Sequence, residues 1–154
     1  TRWWGLALCL KCQLLAEQAD WPGIETLVAS VRDRLEEGQI KTKLDFWAAE
    51  AAFRRGEYDT AGERLSALET KIIGIHQAWT AMVPLRRAQL AARRQRWVQV
   101  LEILDDLEQT HPEFALEYEV DYLRGRAWAG RGAMTAARQQ YQKVLENPQA
   151  VGTF

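Results

Sequence analysis

The stretch GRAWAGRGAMTAARQQYQKVLENP, residues 125–148, decides the fold. It opens on small residues, Gly125 and Ala127, beside Trp128, and reaches the helix-ending pair Arg131-Gly132. Ala137, Tyr141 and Val144 then recur at helical spacing until Pro148 stops the run. The segment reads as two short helices joined by a glycine turn.

Working outward, the same pattern recurs upstream. The residues that open each second helix are Trp21, Tyr58, Trp97 and Met134, in steps of 37, 39 and 37. Three residues later stand Ile24, Ala61, Val100 and Ala137, followed by Val28, Leu65, Leu104 and Tyr141, then Val31, Leu68, Leu107 and Val144. Upstream, Cys12, Ala49, Ala88 and Gly125 keep the register, as do Leu14, Ala51, Leu90 and Ala127. Self-similarity in one register over four copies marks a repeat protein. The first helix of each copy is rich in small residues, such as Ala48, Ala49, Ala51 and Ala52, which let helices approach closely. The second carries an apolar stripe such as Trp97, Val100, Leu101, Leu104 and Leu107.

Turn chemistry sets the boundaries. Arg55-Gly56-Glu57 and Arg131-Gly132-Ala133 end first helices, while Asp20-Trp21-Pro22 and Asp59-Thr60 open second ones. The expected helices are 3–18, 22–37, 41–55, 59–73, 77–94, 97–110, 114–131 and 133–146. Pro84 falls inside the fifth, which therefore either starts near Val83 or kinks.

Residues 125–148 resemble a tetratricopeptide repeat, with a small residue and an aromatic in the first helix, Gly at the turn, then Ala, an aromatic and Pro. Ala49, Gly56, Tyr58, Ala61 and Leu65 match in the second copy, and Ala88, Trp97, Leu104 and Pro112 in the third. The first copy matches least, with Cys12 and Ala19 in the glycine columns. The period exceeds the usual one of about 34, which bears on the turns between copies rather than on the helix-pair plan. The resemblance implies an all-α fold, a right-handed α-solenoid of four antiparallel helix pairs without a β-sheet. The chain then forms a single repeat domain with copies at about 3–38, 41–75, 77–112 and 114–148. Thr1 at the start and the uncapped end at Phe154 read as a fragment of a longer repeat protein.

The resemblance also implies function. First helices of this family line a concave groove, so the chain is expected to be a protein–protein interaction scaffold that holds a peptide or protein segment there. The implied groove residues are Phe46, Glu50, Arg54, Arg86, Gln89, Arg93, Tyr122 and Arg126, together with Gln13 and Leu85. Phe46 and Tyr122 would offer flat anchors, the arginines forked donors for carboxylates, and Glu50 selectivity. The Lys and Asn set with which some members clamp a terminal carboxylate is missing. Cys9, Gln13, Trp47, Met82 and Arg86 stand in its place.

Composition narrows the alternatives. A hydrophobic share of 47% with 27% charged residues is that of a folded chain. The net charge of −1 gives no general attraction for nucleic acid or an anionic membrane. No segment has the roughly 20 apolar residues of a membrane span. The apolar run at residues 3–10 continues into Lys11 and Leu14-Leu15 at helical spacing, which fits a helix better than a targeting signal.

Chemistry-bearing motifs are sparse. Cys9-Leu-Lys-Cys12 lacks the strand context of a redox pair and the further ligands of a zinc site, so both cysteines read as small core residues. His76 and His111 form no spaced pair, and Gly130 and Gly132 end a helix rather than follow a strand. No catalytic constellation, metal site or cofactor motif emerges, and the chain does not read as an enzyme. The sharpest electrostatic feature is Arg86, Arg87, Arg93, Arg94 and Arg96, without an intervening acid. It reads first as a solvated face balanced by Glu102, Asp105, Asp106 and Glu108, next as a site for an acidic or carboxylate-bearing peptide, and last as a nucleic-acid contact. Self-assembly through exposed repeat ends is the other alternative. Among the seven tryptophans, Trp21, Trp97 and Trp128 sit in repeat columns and are expected in the core. Trp47 and Trp79 lie off the columns, and Trp3 and Trp4 would face an upstream repeat.

Overall fold

A computed structural model describes residues 1–114 and 116–152. Among these residues there are eight α-helices and no strand: α1 (Arg2–Glu17), α2 (Trp21–Val31), α3 (Gln39–Arg54), α4 (Tyr58–Leu68), α5 (Met82–Arg93), α6 (Trp97–Thr110), α7 (Glu117–Gly130) and α8 (Met134–Glu146). The helices pack consecutively, α1 on α2, α3 on α4, α5 on α6 and α7 on α8. Two compact units result, Thr1–His76 and a second beginning at Gln77, so each holds two of the four copies.

One turn makes all four hairpins. At the end of each first helix a residue takes a left-handed conformation: Ala19 at φ 55°, Gly56 at 78°, Gln95 at 56° and Gly132 at 81°. Its N–H donates to the carbonyl three residues back, Ala16, Phe53, Ala92 or Ala129, at 3.0–3.1 Å. The next N–H, of Asp20, Glu57, Arg96 or Ala133, donates to Leu15, Ala52, Ala91 or Trp128 at 2.8–2.9 Å. This paired bonding is the Schellman motif, which satisfies carbonyls that a helix end would otherwise orphan. The residue after the left-handed one is also the N-cap of the second helix, with φ between −82° and −86° in every copy. In the first copy Asp20 adds a side-chain cap, accepting from the Gly23 N–H at 2.9 Å.

Two of the repeat columns are buried in every copy, while others reach solvent at Leu14 and Met134. Ile24, Ala61, Val100 and Ala137 are buried, and so are Cys12, Ala49, Ala88 and Gly125. In the first unit Cys12, Ile24, Val28, Leu44 and Ala51 form one cluster, while Leu85, Ala88, Val100, Leu104 and Ala127 belong to another in the second. The small columns are small for steric reasons. A Cβ on Gly125 would stand 2.4 Å from the Tyr141 ring, so α7 and α8 approach as closely as they do only because that atom is missing.

The connections between copies differ from the expected helix ends. Helix α2 stops at Val31 rather than near residue 37, and the chain tightens into a 3-10 turn at Arg32–Arg34. Helix α4 stops at Leu68 rather than near 73, before a stretch with β-branched Ile72 and Ile73 and with Gly74 at φ 80°. Helix α5 starts at Met82 after a 3-10 turn at Ala78–Ala81. Pro84 thus lies in its first turn, where an N–H has no intrahelical partner to lose. Helix α7 begins at Glu117 rather than near 114; Ala115, in that expected range, lies outside the described residues.

Two stability tests follow from this geometry. A left-handed non-glycine residue costs about 1–2 kcal/mol, and the freedom that glycine brings to the unfolded chain returns part of that. Ala19→Gly and Gln95→Gly should each raise the denaturant midpoint, by about 0.5–1 kcal/mol, whereas Gly132→Ala should lower it. In the buried second-helix column, Ala61→Leu and Ala137→Leu should destabilise by about 1–3 kcal/mol through overpacking. Unchanged midpoints in these two would show that the column has room.

Candidate functional site

The implied groove residues lie in first helices of both units. In the first unit Gln13 lies exposed on α1, and the others belong to α3. Phe46 is only 5% exposed, and its ring lies 5.7 Å from that of Trp47. Glu50, also 5% exposed, accepts from Arg54 Nε at 3.0 Å, and the Arg54 guanidinium lies 5.3 Å from the centre of the Trp21 ring. Of these three, only Arg54 is open to solvent.

In the second unit the residues belong to α5 and α7, which pack side by side. Arg86 is 7% exposed and donates through Nη1 to Gln89 Oε1 at 2.7 Å; Gln89 Nε2 in turn reaches Glu119 Oε2 at 3.4 Å. Arg126 places its guanidinium 5.9 Å from the Trp97 ring centre. Tyr122 is 49% exposed beside Tyr141, with ring centres 6.1 Å apart, and Arg93 is exposed in the last turn of α5. The solvated part of the expected surface is therefore Gln13 and Arg54 in one unit, and Arg93 and Tyr122 with half-buried Gln89 and Arg126 in the other.

Phe46, Glu50, Leu85 and Arg86, expected as groove contacts, are instead inside the protein. For Phe46 the sequence held a signal. Its column reads Cys9, Phe46, Leu85, Tyr122, apolar or aromatic throughout, and its first three members are buried. An apolar column beside the small ones belongs to packing, and Tyr122 alone leaves it for solvent.

The arginine run divides in the same way. Arg86 is buried, Arg87 half-buried, and Arg93, Arg94 and Arg96 are exposed. Two of the acids expected to balance it are engaged elsewhere: Arg124 donates to Asp105 at 3.1 Å and to Glu108. That bond, ahead of the opposing effect of burial, holds the Glu108 carboxyl below its ordinary range.

The column tryptophans are half-buried rather than enclosed. Trp21 and Trp97 pack on the two cores and carry an arginine over the exposed ring, as Trp128 does with Arg131 at 5.4 Å. Arg34 covers Trp4 in the same way at 5.0 Å. Off the columns, the Trp79 indole donates to Gln77 Oε1 at 2.8 Å, while the Trp47 indole N–H is buried without a hydrogen-bond partner. Trp3, Leu6, Leu10 and Leu14 form an exposed apolar stripe along α1. His111 caps α6, its ring nitrogens 2.9 Å from the Thr80 and Thr110 hydroxyls.

Cys9 and Cys12 are buried free thiols. Burial, with a smaller push from Cys9, raises Cys12 from 9.0 to about 11, and burial raises Cys9 as well. Among the described residues no group of three or more His, Cys, Asp or Glu could hold a metal ion, and no helix is long and apolar enough to cross a membrane. Comparison of the chain with protein-family models, with curated proteins and with solved structures returns no match.

A raised thiol pKa means that the folded state holds its proton more tightly than the unfolded chain does. Stability is therefore complete below pH 9 and falls as pH rises from about 9 to about 11, where Cys12 itself ionises. Cys12→Ser should reduce that alkaline loss in equilibrium unfolding. In the native protein at pH 8, iodoacetamide should label Cys12 far more slowly than in urea; equal rates would mean that the thiol is accessible.

Proposed function

We propose that this chain is a protein-interaction scaffold of the tetratricopeptide type, which binds a peptide or protein segment on its first helices. The observation that carries the reading is the surface of α5 and α7. There Arg93, Tyr122 and Arg126 stand outside a layer of small packed residues that includes Ala88, Gly125 and Ala127. The small layer brings the two helices together, so their larger side chains are carried on neighbouring helices. An exposed tyrosine beside guanidinium groups is the composition of a protein-binding hot spot. The arginine forks suit carboxylates on the partner, and the aromatic ring gives apolar area at little cost in side-chain entropy. Repeat folds place function in such surfaces, while the fold by itself names no ligand.

The test uses a partner isolated by pulldown and two charge reversals measured by calorimetry. Arg93→Glu should weaken binding by at least about 2 kcal/mol, and Arg94→Glu much less, because Arg94 caps the end of α5 and is turned by about 100° from Arg93. Equal losses, or a larger loss at Arg94, would move the interface off this surface. A binding partner that proves to be RNA, with a steep salt dependence, would replace the reading with the electrostatic one.

A further inference from the structure

Helices α2, α3 and α4 enclose a cleft of about 370 Å³ within the first unit. Val28, Ala29, Ala48, Ala67 and Leu68 give it an apolar lining. Two ion-pair clusters stand at its rim. Asp45 accepts from Arg32 Nε at 2.6 Å and Nη2 at 3.3 Å, with Lys71 Nζ 3.7 Å away. Glu25 accepts from Arg55 and from Arg64 Nη1, the latter at 2.8 Å. The lining carries three cations, Arg32, Arg64 and Lys71, against two carboxylates, Glu25 and Asp45. Donors remain: Arg32 Nη1 comes no closer than 3.9 Å to Asp33, and Lys71 makes only its long approach to Asp45.

The repeat supplies an internal control. Ala48 belongs to a column that otherwise holds Lys11, Arg87 and Arg124. In the second unit α6, α7 and α8 put Arg124 where α2, α3 and α4 put Ala48. Arg124 is buried there and donates to Asp105 and Glu108, which stand in the columns of Ala29 and Arg32. The position that carries a buried guanidinium in one unit is therefore a methyl group beside an open cleft in the other. The neighbouring column changes with it: it holds Glu69 ahead of Arg87, Glu108 ahead of Arg124, but Arg32 ahead of Ala48. On α3 the guanidinium is replaced by a methyl group, Arg64 of α4 donates to the Ala48 carbonyl at 2.8 Å, and the charge in the Glu108 column is reversed.

We propose that this cleft binds a carboxylate carried on a short aliphatic stem, with the stem along Ala29, Ala48 and Ala67 and the carboxylate at Arg32 and Lys71. The ligand group is the mirror of Arg124: a side-chain-length apolar stem with an ionic head, of opposite sign because Arg32 stands in the column of Glu108 and cations outnumber carboxylates in the lining. Both a free short-chain acid and a glutamate of a protein partner offer this chemistry. The site does not depend on the first-helix interface and stands or falls separately from it.

The test titrates hexanoate, with hexanol as its uncharged counterpart, into the whole chain and follows backbone amides by NMR. Hexanoate should shift the amides of Ala29, Ala48 and Ala67, and hexanol should not. Lys71→Gln should weaken hexanoate by about tenfold, and Ala48→Leu, which fills the cleft, should abolish binding. An internal carboxylate gives a ligand-free check: Ala48→Glu should melt at a higher temperature than Ala48→Gln in low salt, with the gap closing at high salt. A capped peptide with a central glutamate separates the sources, since tighter binding than hexanoate assigns the group to a protein partner and weaker binding to a free acid. No shift with hexanoate, the same shifts with hexanol, or equal melting of the two Ala48 variants would overturn the proposal.

Discussion

Every hairpin in this protein depends on one backbone residue in the left-handed region at the end of its first helix. That residue turns two adjacent N–H groups back onto the helix it closes, and its successor caps the next helix. With no spare residue between the two helices, their relative rotation is fixed, and so is the set of side chains that meet. Because the second helix always starts in the same phase, Ile24, Ala61, Val100 and Ala137 all point inward. In two copies the turn is made without glycine, by Ala19 and Gln95. Local preference opposes the conformation there, so it must be imposed by packing on both sides of the turn.

Packing, rather than charge, supplies the energy. Leu65, Leu104 and Leu107 are almost completely enclosed, and burial of such a side chain contributes about 1.5–3 kcal/mol. The ion pairs lie mostly at half-exposed positions, where each is worth about 0–1 kcal/mol. Arg124 is a buried cation donating to two exposed carboxylates. Its desolvation offsets much of the attraction, so it is better understood as a specific filler of one space than as a source of stability.

The helix-pair plan was legible in the sequence because a period repeats over four copies and averages out local ambiguity. The turns between copies were not. Helices α2 and α4 end early at places where no column repeats, and only local chemistry such as Ile72-Ile73-Gly74 marks the stop. Of the residues expected at the groove, Arg93 and Tyr122 are exposed, whereas Phe46 shares its column with Tyr122 and is buried. A column records which way a residue points along its own helix. It does not record how much protein lies in that direction, and that differs from copy to copy.

The same limit has a useful converse. Copies that share a backbone turn compare side chains at matched positions, much as a set of mutants would. Where a column is uniform, as in Cys12, Ala49, Ala88 and Gly125, its residues answer to packing common to all copies. Where one member departs, the common packing cannot be the reason. Ala48 among Lys11, Arg87 and Arg124 is such a departure, and Tyr122 after Cys9, Phe46 and Leu85 is another. The first leaves a space with an ionic rim and the second leaves an aromatic ring in water. Ala48 packs only at the edge of the first core and Tyr122 lies beside Tyr141, and the proposed recognition uses the one as a cleft and the other as a surface.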